Sequence, residues 1–225
     1  MSRICQKKES RGSQHWLQEL IDRCPDLLAN TLQLPLGLSG DDTITWLSPR
    51  EADGYAEYQD EEFLEKLSVH LEKRPIRTFW PPRGPVWDAL GKTSRGDILL
   101  VEAKAHLPEL KSPPCQASPS SLALIRKSLA EAAKSYGAAS TADWSQDYYQ
   151  YANRLAHLYL VRELNNIPAW LVFLCFVNAS EMDGPKSVEE WRPAIEAAHA
   201  HLGVKHERLQ PYVVDIFVDV TTLRT

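Results

Sequence analysis

The sequence predicts an α/β fold in which helices flank a central mixed β-sheet. Amphipathic segments with helical spacing and short strand-like runs both occur along the 225 residues. One run, PAWLVFLCFVN at 168–178, is almost continuously apolar, which is typical of a central strand buried on both faces. The length suits a single domain, and the 44% hydrophobic content is ordinary for a globular protein.

The N-terminal part begins with an amphipathic helix over 13–24, SQHWLQELIDRC, which Pro25 ends. Its apolar face consists of Trp16, Leu17, Leu20, Ile21 and Cys24. Scattered glycine and proline predict a loop-rich segment over 26–56, and a short helix follows near 61–71.

Two strands joined by a turn come next. The first is PVWDALG at 85–91, in which Val86, Asp88 and Leu90 share one face, and the second is DILLVEAKAH at 97–106. The segment GKTSRG between them is turn-like, so the pair is predicted to form an antiparallel hairpin.

The C-terminal half predicts two helices, the apolar strand, a further helix and a last strand. Ser118 is the expected N-cap and Pro119 the first residue of one helix, and a longer helix covers 143–164. After the apolar strand, SVEEW at 187–191 offers a capping box for the next helix. The last strand is YVVDIFVDV at 212–220.

Charge is distributed unevenly along the chain. The net charge is −5, but residues 41–65 hold nine acids against one base. Residues 73–95 are basic, which is consistent both with a phosphate-binding face and with an ordinary mixed surface. We expect one domain over 1–225 with an acidic, loop-rich insertion around 26–72. The acidic segment at 41–65 is expected either to form a solvated cap or to shield the basic residues at 73–95.

The expected cellular compartment follows from features that the sequence lacks. The four cysteines are far apart and form no C-x-x-C pair, so they are expected to be unpaired thiols and neither a disulfide framework nor a zinc site. No apolar run reaches about 18 residues, and the polar N-terminus does not resemble a signal peptide. A cytoplasmic protein without a membrane partner is therefore expected.

The end of the second hairpin strand carries charges that a buried strand does not need. Glu102 and Lys104 share one face, roughly 7 Å apart at Cα, and Asp88 of the first strand is expected to converge on Glu102. Two carboxylates at one place repel each other unless a divalent cation lies between them, and Mg²⁺ suits such a place. Lys104 would then hold or help to deprotonate the attacking water. The alternative is a structural ion pair, or charged strand ends that face water.

Asp88 followed by EAK at 102–104 resembles the PD-(D/E)xK nuclease superfamily. That resemblance implies a restriction-endonuclease-like fold, with Asp88 and Glu102 as Mg²⁺ ligands, Mn²⁺ as a substitute, and Lys104 as the catalytic lysine. It also implies nucleic acid as the partner, DNA before RNA, and a homodimer as one arrangement. One departure is Trp87, which stands where the family motif has proline. A second E-x-K, at 109–111, lies in a polar loop and is not expected to act.

Further site residues are suggested by position. The family often adds an acid from the first helix, and Glu19 occupies that place, although it also suits an ion pair with Arg23 at i,i+4. Glu62 and Glu65 are weaker choices for the same role. In the helix over 143–164, a polar stripe suits either phosphate binding or a solvated helix face. The stripe consists of Gln150, Asn153, Arg154 and His157.

The leading expectation is a Mg²⁺-dependent nuclease that hydrolyses DNA with a metal-activated water. Two alternatives remain open. One is a non-catalytic or partner-dependent domain of the same fold, which would bind nucleic acid or act as a scaffold. The other is a nuclease directed at RNA.

Overall fold

The computed structural model describes residues 3–138, 142–209 and 211–223. Its strands are β1 (Arg3–Ile4), β2 (Ile44–Ser48), β3 (Glu57–Tyr58), β4 (Ala89–Thr93), β5 (Ile98–Lys104), β6 (Ala169–Val177) and β7 (Val213–Asp219). Its helices are α1 (Gly12–Arg23), α2 (Pro25–Gln33), α3 (Asp60–Lys66), α4 (Ile76–Phe79), α5 (Pro119–Ser135), α6 (Tyr149–Tyr159), α7 (Val188–Leu202) and α8 (His206–Leu209). In these parts of the chain, no helix is long and apolar enough to cross a bilayer.

A five-stranded mixed sheet forms the centre, in the order β2-β4-β5-β6-β7. The β4–β5 pair is the predicted antiparallel hairpin, and β5, β6 and β7 run parallel to one another. Strand β6 lies between β5 and β7 and is buried along nearly its whole length, which confirms the prediction of a central strand. A two-stranded ribbon of β1 and β3 lies beside the sheet and is joined to it by a bridge between Tyr58 and Trp87.

Helices cover both faces of the sheet, which confirms the predicted α/β architecture. On one face α1 and α2 bury their apolar stripes against the odd-numbered residues of β5, such as Leu99 and Val101. On the other face α5 and α6 pack against the even-numbered residues Ile98 and Leu100. Helix α7 covers the outer part of that second face through Trp191. Because side chains alternate along a strand, Glu102 and Lys104 belong to the α6 face.

The segment expected to be loop-rich contains regular structure. Helix α2 and the edge strand β2 both lie within 26–56, so that prediction is wrong. Helix α1 ends at Arg23, just before Pro25, as predicted, and Pro25 then occupies the first position of α2, where its missing N–H costs nothing. The solvated-cap interpretation is wrong for two of the acids, since Glu57 and Asp60 are buried.

Two element boundaries also differ from the predictions. Strand β4 begins at Ala89 and continues through Thr93, so half of the expected turn is strand. Helix α6 begins at Tyr149, six residues later than 143, after Tyr148 in a left-handed conformation. By contrast, Ser118 caps α5 as predicted, accepting a hydrogen bond from the Ser121 amide at 3.4 Å. The four cysteines are free, also as predicted.

The loop after β6 packs closely against the end of β5. A Cβ atom on Gly184 would lie 2.3 Å from the carbonyl oxygen of Ala105 and 3.1 Å from that of Ala179. Both neighbours are backbone atoms, which cannot give way as a flexible side chain can. Glycine is therefore required where this loop crosses the residue that follows Lys104.

Gly184→Ala is expected to lower the free energy of unfolding by about 1–3 kcal/mol, because the loop or the strand end must shift. The matched control is Gly40→Ala, where a Cβ atom meets nothing within 4 Å. Denaturant unfolding of both variants measures the difference. Equal stabilities would show that the contact with Ala105 relaxes without cost.

Candidate functional site

The three acidic and basic residues predicted to converge do lie together at the carboxyl end of β5. The register of the hairpin pairs Ala89 with Val101, which places Asp88 beside Glu102. The Oδ2 atom of Asp88 accepts a hydrogen bond from the amide of Ala103 at 2.8 Å. This bond fixes the Asp88 side chain across the end of the strand pair.

Both carboxylate oxygens of Glu102 are engaged by cations. Lys104 donates from Nζ to Oε1, and Arg154 donates from Nε to Oε2 at 2.6 Å. The Nη2 atom of Arg154 lies 2.5 Å from the same Oε2. Glu102 is only 3% exposed, so it needs this compensation, because a buried charge without a partner is strongly destabilising.

The protonation states of Glu102 and Lys104 follow from burial and from the charges around them. Burial alone would raise the pKa of Glu102, but the positive charges of Arg154 and Lys104 outweigh it and hold that pKa below its ordinary value. Burial alone would lower the pKa of Lys104, but the negative charges of Glu102 and Asp88 outweigh it and raise that pKa. Lys104 is therefore a cation at neutral pH. It can orient an oxygen atom and stabilise negative charge, but it cannot accept a proton.

The pKa of Asp88 is shifted in the opposite direction to that of Glu102. Burial, and then the charge of Glu102, raise the pKa of Asp88 well above its ordinary range. Its side chain accepts one backbone hydrogen bond and is half-buried, so part of it reaches the surface. A carboxyl group in this state is destabilised as an anion and gains from any cation that approaches it.

Glu57, on β3, is a third acid of the site that the sequence did not indicate. Its carboxylate accepts hydrogen bonds from Gln14 Nε2 at 2.7 Å and from Gln6 Nε2 at 2.8 Å. Burial, and then the charge of Glu102, raise the pKa of Glu57, although the two amides oppose the shift. Its charge also raises the pKa of Asp88. A two-residue strand has no readable period, so nothing distinguished Glu57 from the other acids of its segment.

The polar stripe of α6 faces this site. Gln150 Oε1 lies 3.4 Å from Lys104 Nζ, and Asn153 Oδ1 accepts a hydrogen bond from Arg154 at 2.9 Å. The interpretation of the stripe as a solvated face is wrong for Asn153, Arg154 and His157, which are buried. Arg154 also donates to the Val86 carbonyl at 2.7 Å, so its guanidinium is occupied by protein groups.

A groove of about 350 Å³ opens beside the stripe. Its walls include Gln150, Asn153 and Arg154 from α6, Arg83 before β4, and the loop around Ser112. Ser112 Oγ accepts a hydrogen bond from the Gln150 amide at 2.7 Å, which fastens that loop to the start of α6. The groove is connected to the cluster at the end of β5 through two of its lining residues, since Gln150 contacts Lys104 and Arg154 contacts Glu102.

The other predicted site residues lie elsewhere. Glu19 pairs with Arg23 at 3.0 Å and with Lys8 at 3.3 Å, and it lines a different surface pocket. Glu62 and Glu65 lie on α3, where Glu65 is exposed. In the second E-x-K, Glu109 accepts a hydrogen bond from the Ala105 amide, and Lys111 is exposed. That copy has no buried strand around it.

The donor set at the end of β5 fits a divalent cation with few protein ligands. When all five groups are ionised, the three carboxylates of Glu57, Asp88 and Glu102 face two cations, Lys104 and Arg154, so one negative charge is left over. Across the described ranges, three or more His, Cys, Asp or Glu side chains nowhere form a group that holds a metal by itself. Mg²⁺ takes one or two carboxylates and keeps several waters, so Asp88 and one neighbour meet its needs.

Comparison with known proteins adds no relative. No protein-family model, curated protein or solved structure matches the chain significantly.

Asp88→Asn is expected to raise the free energy of unfolding at neutral pH by on the order of 1 kcal/mol, measured with EDTA present. Because the pKa of Asp88 is raised in the folded protein, its ionised form destabilises the fold above the unfolded pKa of about 3.9. The gain should vanish as the pH falls below that value.

Asp143→Asn is the control of opposite sign. Hydrogen bonds from Ser145 lower the pKa of Asp143, so its ionised form stabilises the fold and the variant should lose stability at neutral pH. Urea unfolding at neutral and acidic pH measures both variants. A loss of stability in Asp88→Asn at neutral pH would contradict the electrostatics described for Asp88.

Proposed function

We propose that the protein is a Mg²⁺-dependent nuclease that hydrolyses phosphodiester bonds of DNA. The observation that carries the proposal is the meeting of Asp88, Glu102 and Lys104 at the end of a buried strand, with surplus negative charge and an adjoining polar groove. The resemblance of these residues to the PD-(D/E)xK motif supports the same function. Glu57 joins the proposed site as a third acid, in place of Glu19.

Bound Mg²⁺ would activate a water molecule and neutralise charge that develops on the phosphate. Asp88 is its proposed first ligand, since it lies beside Glu102 and its carboxylate is held by a backbone amide, not by a cation. Glu102 would be the second ligand, through the oxygen that Lys104 now contacts. Lys104, as a cation, would orient the attacking water and stabilise negative charge.

The residues of α6 divide into two roles in this proposal. Arg154 is a positioning residue, since its guanidinium holds Glu102 and stacks at 4.9 Å over the Trp87 ring. Gln150 and Asn153 line the groove and can bind a phosphate or sugar oxygen of the strand. The Arg83 side chain, exposed at the groove, adds a positive charge for a further phosphate.

One observation favours the second candidate, a non-catalytic domain of the same architecture. Both oxygens of Glu102 are taken by Lys104 and Arg154, which is what a purely structural ion-pair cluster would show. Such a cluster does not account for Asp88 and Glu57, whose pKa values are both raised where a structural pair would lower them. The nuclease is therefore the stronger proposal.

Lys104→Ala is expected to lower the rate of DNA cleavage about 100-fold or more, because the cation that orients the water is lost. The chain offers a matched control in its second E-x-K, where Lys111→Ala should cleave like the wild type. Supercoiled plasmid, single-stranded DNA and RNA with Mg²⁺ or Mn²⁺ are the substrates. The preferred substrate identifies the class of nucleic acid.

Each outcome of that assay has a meaning. Cleavage by the wild type and Lys111→Ala alone supports the nuclease. Equal cleavage by Lys104→Ala assigns the activity to another residue or to a contaminant. No cleavage by any of the proteins favours the non-catalytic domain.

Mn²⁺ is expected to raise the melting temperature of the wild type by about 5–10 °C at 100 times its Kd, since it binds the folded state alone. Asp88→Asn should remove most of this rise, and Glu57→Gln should reduce it. Glu65→Gln, which changes an exposed acid outside the site, is the control. Differential scanning calorimetry with and without EDTA measures the shifts, and an unchanged shift in Asp88→Asn would exclude Asp88 as a ligand.

A further inference from the structure

A second cavity, of about 390 Å³, lies at the opposite edge of the sheet. It is bounded by the edge strand β7, by the exposed side of α7 and by Pro35 after α2. Its apolar wall consists of Ile195, Val213 and Phe217, and its polar groups are Arg192, Glu196, His199, His206 and Asp215. The volume falls in the range of small-molecule sites, and an apolar wall with a few convergent polar groups is their usual composition.

Asp215 is the group in this cavity that lacks a partner. Its Oδ1 atom is closed off from solvent and has no hydrogen-bond partner among the described residues. Burial raises the pKa of Asp215 to about 6, and the nearby His206 only partly opposes the shift. At neutral pH the carboxylate of Asp215 is therefore mostly ionised, and its Oδ1 atom has no hydrogen-bond partner among the described residues. An unsatisfied buried acceptor is costly, and native structures rarely retain one without a reason.

Two groups near Asp215, His199 and Tyr151, are uncharged and contact each other. Burial, and then His206, lower the pKa of His199 to about 4, so its imidazole is uncharged at neutral pH. Its Nε2 lies 2.7 Å from the hydroxyl of Tyr151, whose ring stacks on Phe173 at 4.0 Å between centroids. Burial, and then the charge of Asp215, raise the pKa of Tyr151, so its hydroxyl keeps its proton.

The charge of the cavity selects one class of ligand. At the exposed rim, Arg192 and Glu196 carry opposite charges, and inside the cavity His206 compensates the carboxylate of Asp215 only in part. A ligand that satisfies it must be positively charged and must donate N–H hydrogen bonds. The apolar wall then accommodates a short hydrocarbon body next to that head group.

We propose that this cavity binds a small organic cation with an ammonium or guanidinium head, which Asp215 receives and whose apolar body packs on Ile195, Val213 and Phe217. This inference is independent of the proposed nuclease, since none of these residues contributes to the site at the end of β5. The two proposals can therefore succeed or fail separately.

The test uses four probes with the same butyl chain, which are n-butylguanidine, n-butylamine, n-butanol and butyrate. Titration of the wild type, followed by amide NMR shifts, should show millimolar binding of the two cations, with the largest shifts at Val213, Asp215 and His199. The alcohol and the carboxylate should bind about tenfold more weakly or less, because neither supplies a charged N–H donor.

Asp215→Asn keeps the shape of the side chain and removes its charge, so the cations should bind about tenfold more weakly. Glu65→Gln is the matched control, because it changes the net charge of the protein equally at an exposed acid outside the cavity. It should bind like the wild type. The fold is not at risk in Asp215→Asn, whose melting temperature should stay equal or rise, since no hydrogen bond of Oδ1 is lost.

Four results would overturn the proposal. Equal binding of n-butanol would make the cavity merely apolar, and unchanged binding in Asp215→Asn would place the ligand elsewhere. Tighter binding of a capped tripeptide with a central arginine would assign the cavity to a protein segment. Sedimentation velocity completes the test, because a dimer that the cations dissociate would make this edge an interface between two copies.

Discussion

A carboxylate that is almost completely buried must be neutralised where it stands, and Glu102 is such a group. Because Glu102 needs cations, α6 must dock so that Arg154 reaches its Oε2 atom. The Lys104 side chain must likewise point toward its Oε1 atom. The same guanidinium holds the Val86 carbonyl just before the hairpin. One buried charge thus connects the central sheet, the helix above it and the entry to β4.

The acids of the cluster differ in how their negative charge is compensated. The negative charge of Glu102 is compensated by two cations. Asp88 and Glu57 are repelled by that charge and accept hydrogen bonds from uncharged amide groups. In a cluster built for stability, each acid would have its own cation. Here Asp88 and Glu57 accept their hydrogen bonds from amides. The Mg²⁺ ion that we propose would supply the missing positive charge.

The sequence predicted the part of the site that depends on the alternation of side chains along a strand. Glu102 and Lys104 share a face because they are two residues apart in a strand, and Asp88 joins them because a tight hairpin fixes the register. Glu57 depends on a two-residue strand and on the path of 26–56, in which α2 and β2 were not predicted. The partner of Arg154 was equally hidden, because a polar stripe on a helix looks the same whether it faces solvent or a buried carboxylate.

The position of the hairpin in the chain has a consequence for folding. Strands β4 and β5 are joined by a short turn and can pair early, whereas the parallel pairing of β5 with β6 closes a long loop that includes α5 and α6. In such an early hairpin, Asp88 and Glu102 would lie side by side beside Lys104, without Arg154. Their repulsion is relieved when Arg154 arrives with α6. The helix that completes the site therefore also commits the hairpin to its place in the sheet.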